Sequence, residues 1–304
     1  MSKTDAKHQP VLLTQTLSYL NIQQDAWYVD GTFGRGGHTG AMLAAGGNVL
    51  AMDIDAEAIA FGQETFAAEI AAGKLLLVRE NFSRITEVLA SRPQVTQLTG
   101  ALFDLGTSLD QLTHNTRGFS FTQPENALDM RMDDRLAVTA ADLLNALPEK
   151  HLLYIFREYG GEFQSRAVAR AVIAQRARQP FATVGDLVNL IEKVKTRNTG
   201  HLHPATKVFQ ALRIAVNDEL SMVKPGLSGA FTALQPGGVI VTIAFHEGED
   251  RIAKHMFRNW EESGQAIALT KHPLSPDDEE VARNPRSRSA KLRAVQKQQN
   301  HVTT

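Results

Sequence analysis

Four glycines fall within seven positions, at Gly31, Gly34, Gly36 and Gly37. They follow the short run Trp27-Tyr28-Val29, which reads as a buried strand, and precede Thr39 to Ala45, which reads as a helix. In that setting a glycine turn lets backbone approach a ligand with no Cβ in the way, and the helix start offers free N–H groups. The spacing Gly31-x-x-Gly34-x-Gly36-Gly37 differs from the dinucleotide G-x-G-x-x-G. About twenty residues on, a second strand (Asn48 to Met52) ends in Asp53, placed to accept from ribose hydroxyls. Together these features suggest a nucleoside site.

Other residues at strand ends extend the chemistry. Asp104 closes the apolar stretch Gly100 to Phe103 and suits a cofactor contact, a proton acceptor for an attacking amine, or a turn cap. Phe82 follows the third strand and either stacks on a purine or belongs to the core. Gln111 is an amide that reads a base, holds a cofactor or lies on a surface loop. His246, at the end of the fifth strand, is a cleft residue or a structural histidine. His201 and His203 lack the carboxylate set of a metal site, and no metal is expected.

Phosphate contacts are suggested twice. From Arg283 to Arg293 there are five cations (Arg283, Arg286, Arg288, Lys291, Arg293) and no acid, with hydroxyls and amides between them. The alternative is a solvated edge leading into a strand. Arg166 and Arg170 lie one turn apart on a predicted helix, with Arg176 and Arg178 beyond, a pattern shared by many surface helices.

The elements that must hold these residues alternate. A helix over Val11 to Leu20, with Leu13, Leu17 and Leu20 at helical spacing, is expected to cover the first strand. Then come strand 27–30, helix 38–45, strand 48–53, helix 56–72, strand 74–78, a helix over 84–91 capped by Ser83, and strand 100–103. Such βα repeats predict a doubly wound parallel sheet, with ligands outside the carboxyl ends of its strands. The alternation stops near residue 109. An irregular stretch (113–134) and helices near 139–146, 149–158, 164–178 and 184–194 predict a helical insertion over 109–215. A long helix from Ala205 to Met222 leads back to strands at 239–245, 266–270 and 290–295, with a helix over 249–262.

Composition bounds the rest. A chain of 304 residues with 43% hydrophobic content supports about two domains. The net charge of −1 confines any nucleic-acid contact to local patches. With no cysteine, disulfides, thiolate metal sites and a cysteine nucleophile are excluded. The first ten residues are polar and no run approaches a membrane span, so a soluble cytoplasmic protein without membrane contact is expected. Bottom-up, NAD-dependent redox chemistry and methyl transfer both remain open.

Longer motifs go further. Asp30-Gly31-Thr32-Phe33-Gly34-Arg35-Gly36-Gly37-His38, Arg117-Gly118-Phe119-Ser120-Phe121, Leu128-Asp129-Met130-Arg131-Met132-Asp133, His203-Pro204-Ala205-Thr206, Phe209-Gln210-Ala211-Leu212-Arg213-Ile214, Asn217-Asp218-Glu219-Leu220 and Asn284-Pro285-Arg286-Ser287-Arg288-Ser289-Ala290-Lys291-Leu292-Arg293 occur in this order. Together they resemble the RsmH (MraW) family from about His8 to Lys297. The resemblance implies an α/β, Rossmann-like S-adenosylmethionine-dependent methyltransferase domain (1–108 and 216–304) with an inserted α-helical domain (109–215) for RNA recognition. It implies methylation of the N4 amine of a cytidine in 16S ribosomal RNA, in the decoding centre, on the small subunit or its precursor. It implies S-adenosyl-L-methionine held by Gly36, Gly37, His38, Asp53, Phe82, Asp104 and Gln111. Asp104 is then the candidate acceptor of the amine proton and His246 a second catalytic candidate. Two stretches depart from the family pattern, Thr107-Ser108-Leu109-Asp110-Gln111-Leu112-Thr113 and His246-Glu247-Gly248-Glu249. They keep open an assembly factor that retains the fold without the activity. The oligomeric state is open, a homodimer being one option.

Overall fold

Alternation within the first strand sets the layers. In the computed structural model, which describes residues 10–106, 116–195 and 203–299, β1 (Trp27–Asp30) turns Tyr28 into one apolar cluster and Trp27 and Val29 into another. A strand buried on both faces belongs to a parallel sheet covered by helices on each side. The sheet has seven strands in the order β3-β2-β1-β4-β5-β7-β6. The others are β2 (Asn48–Asp53), β3 (Leu75–Arg79), β4 (Leu98–Asp104), β5 (Leu234–Ala244), β6 (Ala266–Ala268) and β7 (Lys291–Lys297). The first five pair in parallel, whereas β7 is antiparallel to both β5 and β6. The dinucleotide-binding sheet instead runs 3-2-1-4-5-6. Strand order reverses between β1 and β4, the place where open α/β sheets bind ligands outside the carboxyl ends of their strands.

One face packs against α1 (Leu13–Leu20), α2 (Gly37–Ala44) and α3 (Ala56–Thr65). The other packs against α5 (Ile85–Ala90), α11 (Glu219–Ala233) and α12 (Glu247–Glu262). α1 lies on β4 and β5, and its Leu20 shares an apolar cluster with Tyr28 of the first strand. The expected helix over 56–72 is two helices, α3 and α4 (Ala67–Ala71), separated at Phe66. Asn81, not Ser83, caps the turn before α5, accepting from the Ser83 N–H at 2.8 Å. No described helix is long and apolar enough to cross a membrane.

The chain divides into two compact units. One comprises the described residues up to Gly106 and from Leu220 onward; the other comprises those between Thr107 and Glu219. The second unit holds α6 (Ala140–Ala146), α7 (Glu149–Tyr154) continuing into a π-turn (Ile155–Tyr159), α8 (Ser165–Arg176), α9 (Val184–Val194) and α10 (Thr206–Asn217). α6 and α9 open on reciprocal capping boxes, Thr139 with Asp142 and Thr183 with Asp186. The single long helix expected from Ala205 breaks at Asp218, whose φ is 50°.

Its irregular stretch is held by polar brackets. Arg131 grips Asp129 with two contacts of 2.7 Å, and Arg117 Nη1 donates to the carbonyls of Arg131 and Met132. The Asn217 amide accepts from the Met132 N–H and donates to the Met130 carbonyl, both in the interior. These residues of the Arg117, Leu128 and Asn217 motifs therefore stabilise one another.

Candidate active site

The glycine loop is tied to its neighbours by hydrogen bonds. Gly31 N donates to Leu102 O on β4, and Phe33 N donates to Met52 O on β2, each at 2.9 Å. Gly34 N donates to Asp53 Oδ2 at 2.8 Å, and Asp55 N donates to Asp53 Oδ1 at 2.9 Å. Asp53 thus links the loop to the start of α3. Gly36, the residue before α2, has φ 69°, and a Cβ there would lie 2.5 Å from Phe66 and 2.7 Å from Phe33. No other residue fits that position.

Beneath the loop sits Asp30, 1% exposed, which accepts from Thr39 Oγ1 at 2.7 Å and Thr32 N at 3.1 Å. Thr32 Oγ1 in turn accepts from the Asp104 N–H at 2.7 Å. The two threonines therefore lock the ends of β1 and β4 to the start of α2.

Three titratable groups converge there. Burial pushes the Asp53 carboxyl up to about 6, despite its backbone hydrogen bonds, and the charges of Asp55 and Asp30 add to the rise. Asp104 is held well above the usual carboxylate range, first by burial and then by the charges of Asp30 and Glu249. Its Oδ1 is buried without a partner. His38 is pushed down to about 4 by burial, so its ring is neutral at physiological pH. His38 Nε2 lies 3.2 Å from Val11 O. A carbonyl only accepts, so the ring proton sits on Nε2 and the Nδ1 lone pair faces Asp104 Oδ2 at 3.6 Å.

Phe82 and His246 border this group: a Cβ on Gly31 would lie 3.3 Å from Phe82 Cβ, and His246 stands beside Glu249, whose charge acts on Asp104. The half-buried Phe82 ring meets Phe103 edge-on at 5.5 Å and lies against Gly226 of α11, so packing takes much of its surface. Gln111 lies outside the described residues. His246 caps α12, its Nδ1 accepting from Gly248 N at 3.1 Å, and its Nε2 lies 3.1 Å from Glu249 Oε1. Glu249 is 1% exposed, and its Oε2 accepts from the Phe245 N–H at 3.0 Å. Sequence reasoning missed Glu249 as a site residue, although it stands one helical turn after the strand-ending His246.

Arg293 requires correction. Rather than facing phosphate, it is buried against Asp250 of α12, with contacts of 2.7 and 3.1 Å. The strand period of two turns Lys291 to the same side, and Lys291 Nζ lies 4.0 Å from Asp250 Oδ2. Arg283 and Arg288 are exposed. Of the Arg286 side chain nothing is described. On α8, Arg166 is exposed, and Arg170 is exposed beside Glu149 at 3.4 Å. Arg176 instead donates to the carbonyls of Leu144 and Leu147.

A glycine cradle with an unpartnered buried carboxylate oxygen beside it fits a nucleoside ligand that carries a cationic group. Comparison with known proteins points the same way. A profile described as the MraW methylase family matches residues 5–298. The ribosomal RNA small subunit methyltransferase H of Thermomicrobium roseum is 42% identical, with 95% of this chain and 93% of that protein covered. The protein of the same name from Magnetococcus marinus is also 42% identical, covering 96% and 98%. That from Bdellovibrio bacteriovorus is 41% identical, covering 96% and 88%.

Proposed function

This chain belongs to the MraW methylase family, and from that premise we propose that it transfers a methyl group from S-adenosylmethionine to the N4 amine of a cytidine in small-subunit ribosomal RNA. The names of its relatives supply the substrate class. The observation that carries the chemistry is the buried, unpartnered Oδ1 of Asp104 beside the glycine loop. Gly36, Gly37, His38, Asp53 and Asp104 hold the methyl donor, with Phe82 and Gln111 completing the set. Arg283, Arg286, Arg288 and Lys291 contact the RNA, together with the helical unit, and the reaction belongs in the cytoplasm.

When bound, S-adenosylmethionine supplies an electrophilic methyl on a positively charged sulfur. Cytosine's exocyclic nitrogen is a weak nucleophile because its lone pair is delocalised into the ring. Holding nitrogen and methyl in line removes much of the barrier. Asp104 Oδ1 would accept an N–H of that amine, which localises the lone pair, and would take the proton that the amine gives up on methylation. Its electrostatics suit the task. A cationic ligand in the crevice favours the carboxylate, and loss of that positive charge on transfer restores the proton affinity imposed by burial, Asp30 and Glu249.

The test is tritiated methyl transfer from S-adenosylmethionine onto small subunits from a strain lacking the enzyme, followed by mapping of the modified nucleotide. Label at a cytidine N4 is expected. Tight subunit binding without label would instead identify an assembly factor. If Asp104→Ala weakened donor binding but left methyl transfer intact, the proton-acceptor role would be removed.

A further inference from the structure

Building on the rRNA reading, we propose that Phe163 of the helical unit is a stacking platform for an unpaired base of the RNA substrate, with Lys207 and the exposed arginines of α8 neutralising the adjoining backbone.

Phe163 is 93% exposed, far more than any other large apolar side chain among the described residues. The exposure is built rather than frayed. Gly161, with φ 57°, turns the chain out of the π-turn, and Gly161 N and Glu162 N donate to the carbonyls of Arg157 and Phe156. Glu162 then points inward, 3% exposed, where Lys195 Nζ meets its Oε2 at 2.7 Å and also donates to the Pro204 carbonyl. Glu162 Oε1 accepts from the Gln164 N–H at 2.9 Å. With both neighbours anchored, Phe163 is held outward. A phenyl ring left in water forgoes about 25 cal/mol per Å² of burial, so a fixed turn that presents one suits a partner.

The surroundings choose the partner. Lys207 Nζ stands 4.3 Å from the ring centroid and donates to the Gly161 carbonyl at 2.9 Å, which places a fixed ammonium beside the ring. Counting from Phe163, Arg166 and Arg170 follow at helical spacing, both exposed, so cations line one edge of α8. Arg170 meets Glu149 only in an exposed pair, which leaves it available to phosphate. An aromatic face flanked by cations is how single-stranded nucleic acid is gripped without reading a duplex.

The experiment uses the full chain, small subunits from a strain lacking the enzyme, and three forms: wild type, Phe163→Ala and Phe163→Trp. With Phe163→Ala, KM for subunits is expected to rise about tenfold, with unchanged S-adenosylmethionine affinity and unchanged melting temperature. Phe163→Trp should restore KM, and its added emission, relative to wild type with Trp27 and Trp260 alone, should be quenched by subunits. Unchanged KM in Phe163→Ala, or unquenched emission from Phe163→Trp, while wild type methylates normally, would overturn the platform and leave the rRNA reading intact. A shift in oligomeric state with unchanged KM would also overturn it, by making the face a protein contact. Absence of methylation by wild type would overturn the rRNA reading itself, and this inference with it.

Discussion

Between His38 and Asp104 the ligand-free protein has room for one proton, and Asp104 is where it belongs. His38 offers a bare Nδ1 at 3.6 Å, and an ionised carboxylate there would face that lone pair as well as the charges of Asp30 and Glu249. A cationic ligand reverses the balance, so binding should release a proton. S-adenosylmethionine affinity is therefore expected to increase as pH rises above the ordinary carboxylate range, by at most about tenfold per pH unit for one linked proton. Calorimetry in buffers of different ionisation enthalpy reads that proton directly, and a pH-independent affinity without proton release would contradict the assignment. Stability of the free protein is the poorer readout. Asp53 is raised from 3.8 to about 6, so the folded state holds the extra proton and stability falls as pH rises through that window. His38 is lowered from 6.5 to about 4, so the unfolded chain holds the extra proton and stability rises over nearly the same window. The two oppose each other.

At the level of elements, the loop and β7 make different demands. Gly36→Ala puts a Cβ against Phe66 and Phe33 at φ 69°. It should lower stability by about 1–3 kcal/mol and weaken donor binding, as read by melting and calorimetry. Arg293→Ala strands the buried Asp250 and should cost about 3–5 kcal/mol, without the uniform loss of RNA affinity expected of a phosphate contact. A salt titration of RNA binding separates the two, because a lost phosphate contact lowers the salt slope and a lost internal pair does not. These elements also show what could be read from the chain alone. The positions of the glycine loop, Asp53 and Asp104 follow from strand ends, which periodicity marks in any βα repeat. The burial of Arg293 is not legible, because it depends on β7 slotting antiparallel between β5 and β6, and the β5 pairing spans more than forty residues, which no local pattern encodes. Nor is the break at Asp218, where a left-handed residue interrupts an otherwise continuous helical pattern. The cap before α5 was misplaced by two residues because Asn81 and Ser83 are both good caps and only the backbone path chooses between them.

For the molecule as a whole, a net charge of −1 means that RNA must be met by localised cations rather than by a general field. Lys207, Arg166 and Arg170 beside Phe163 on the helical unit, and the exposed Arg283 and Arg288 on the other unit, are candidates. The helical unit depends on its polar brackets. Asn217→Ala removes the amide that accepts from Met132 N and donates to Met130 O, and should destabilise the protein by about 1–3 kcal/mol while leaving the donor site chemically unchanged. Greater protease sensitivity of the segment around Met130 would report that loosening. The central claim, that the glycine loop with Asp53 and Asp104 binds the methyl donor, is tested most directly by calorimetric titration of S-adenosylmethionine into the wild-type protein and into Asp53→Ala and Asp104→Ala. The expected result is one-to-one binding by wild type, weakened at least tenfold in each variant while the fold survives. Undiminished binding in both variants, or no binding by the folded wild-type protein, would contradict it.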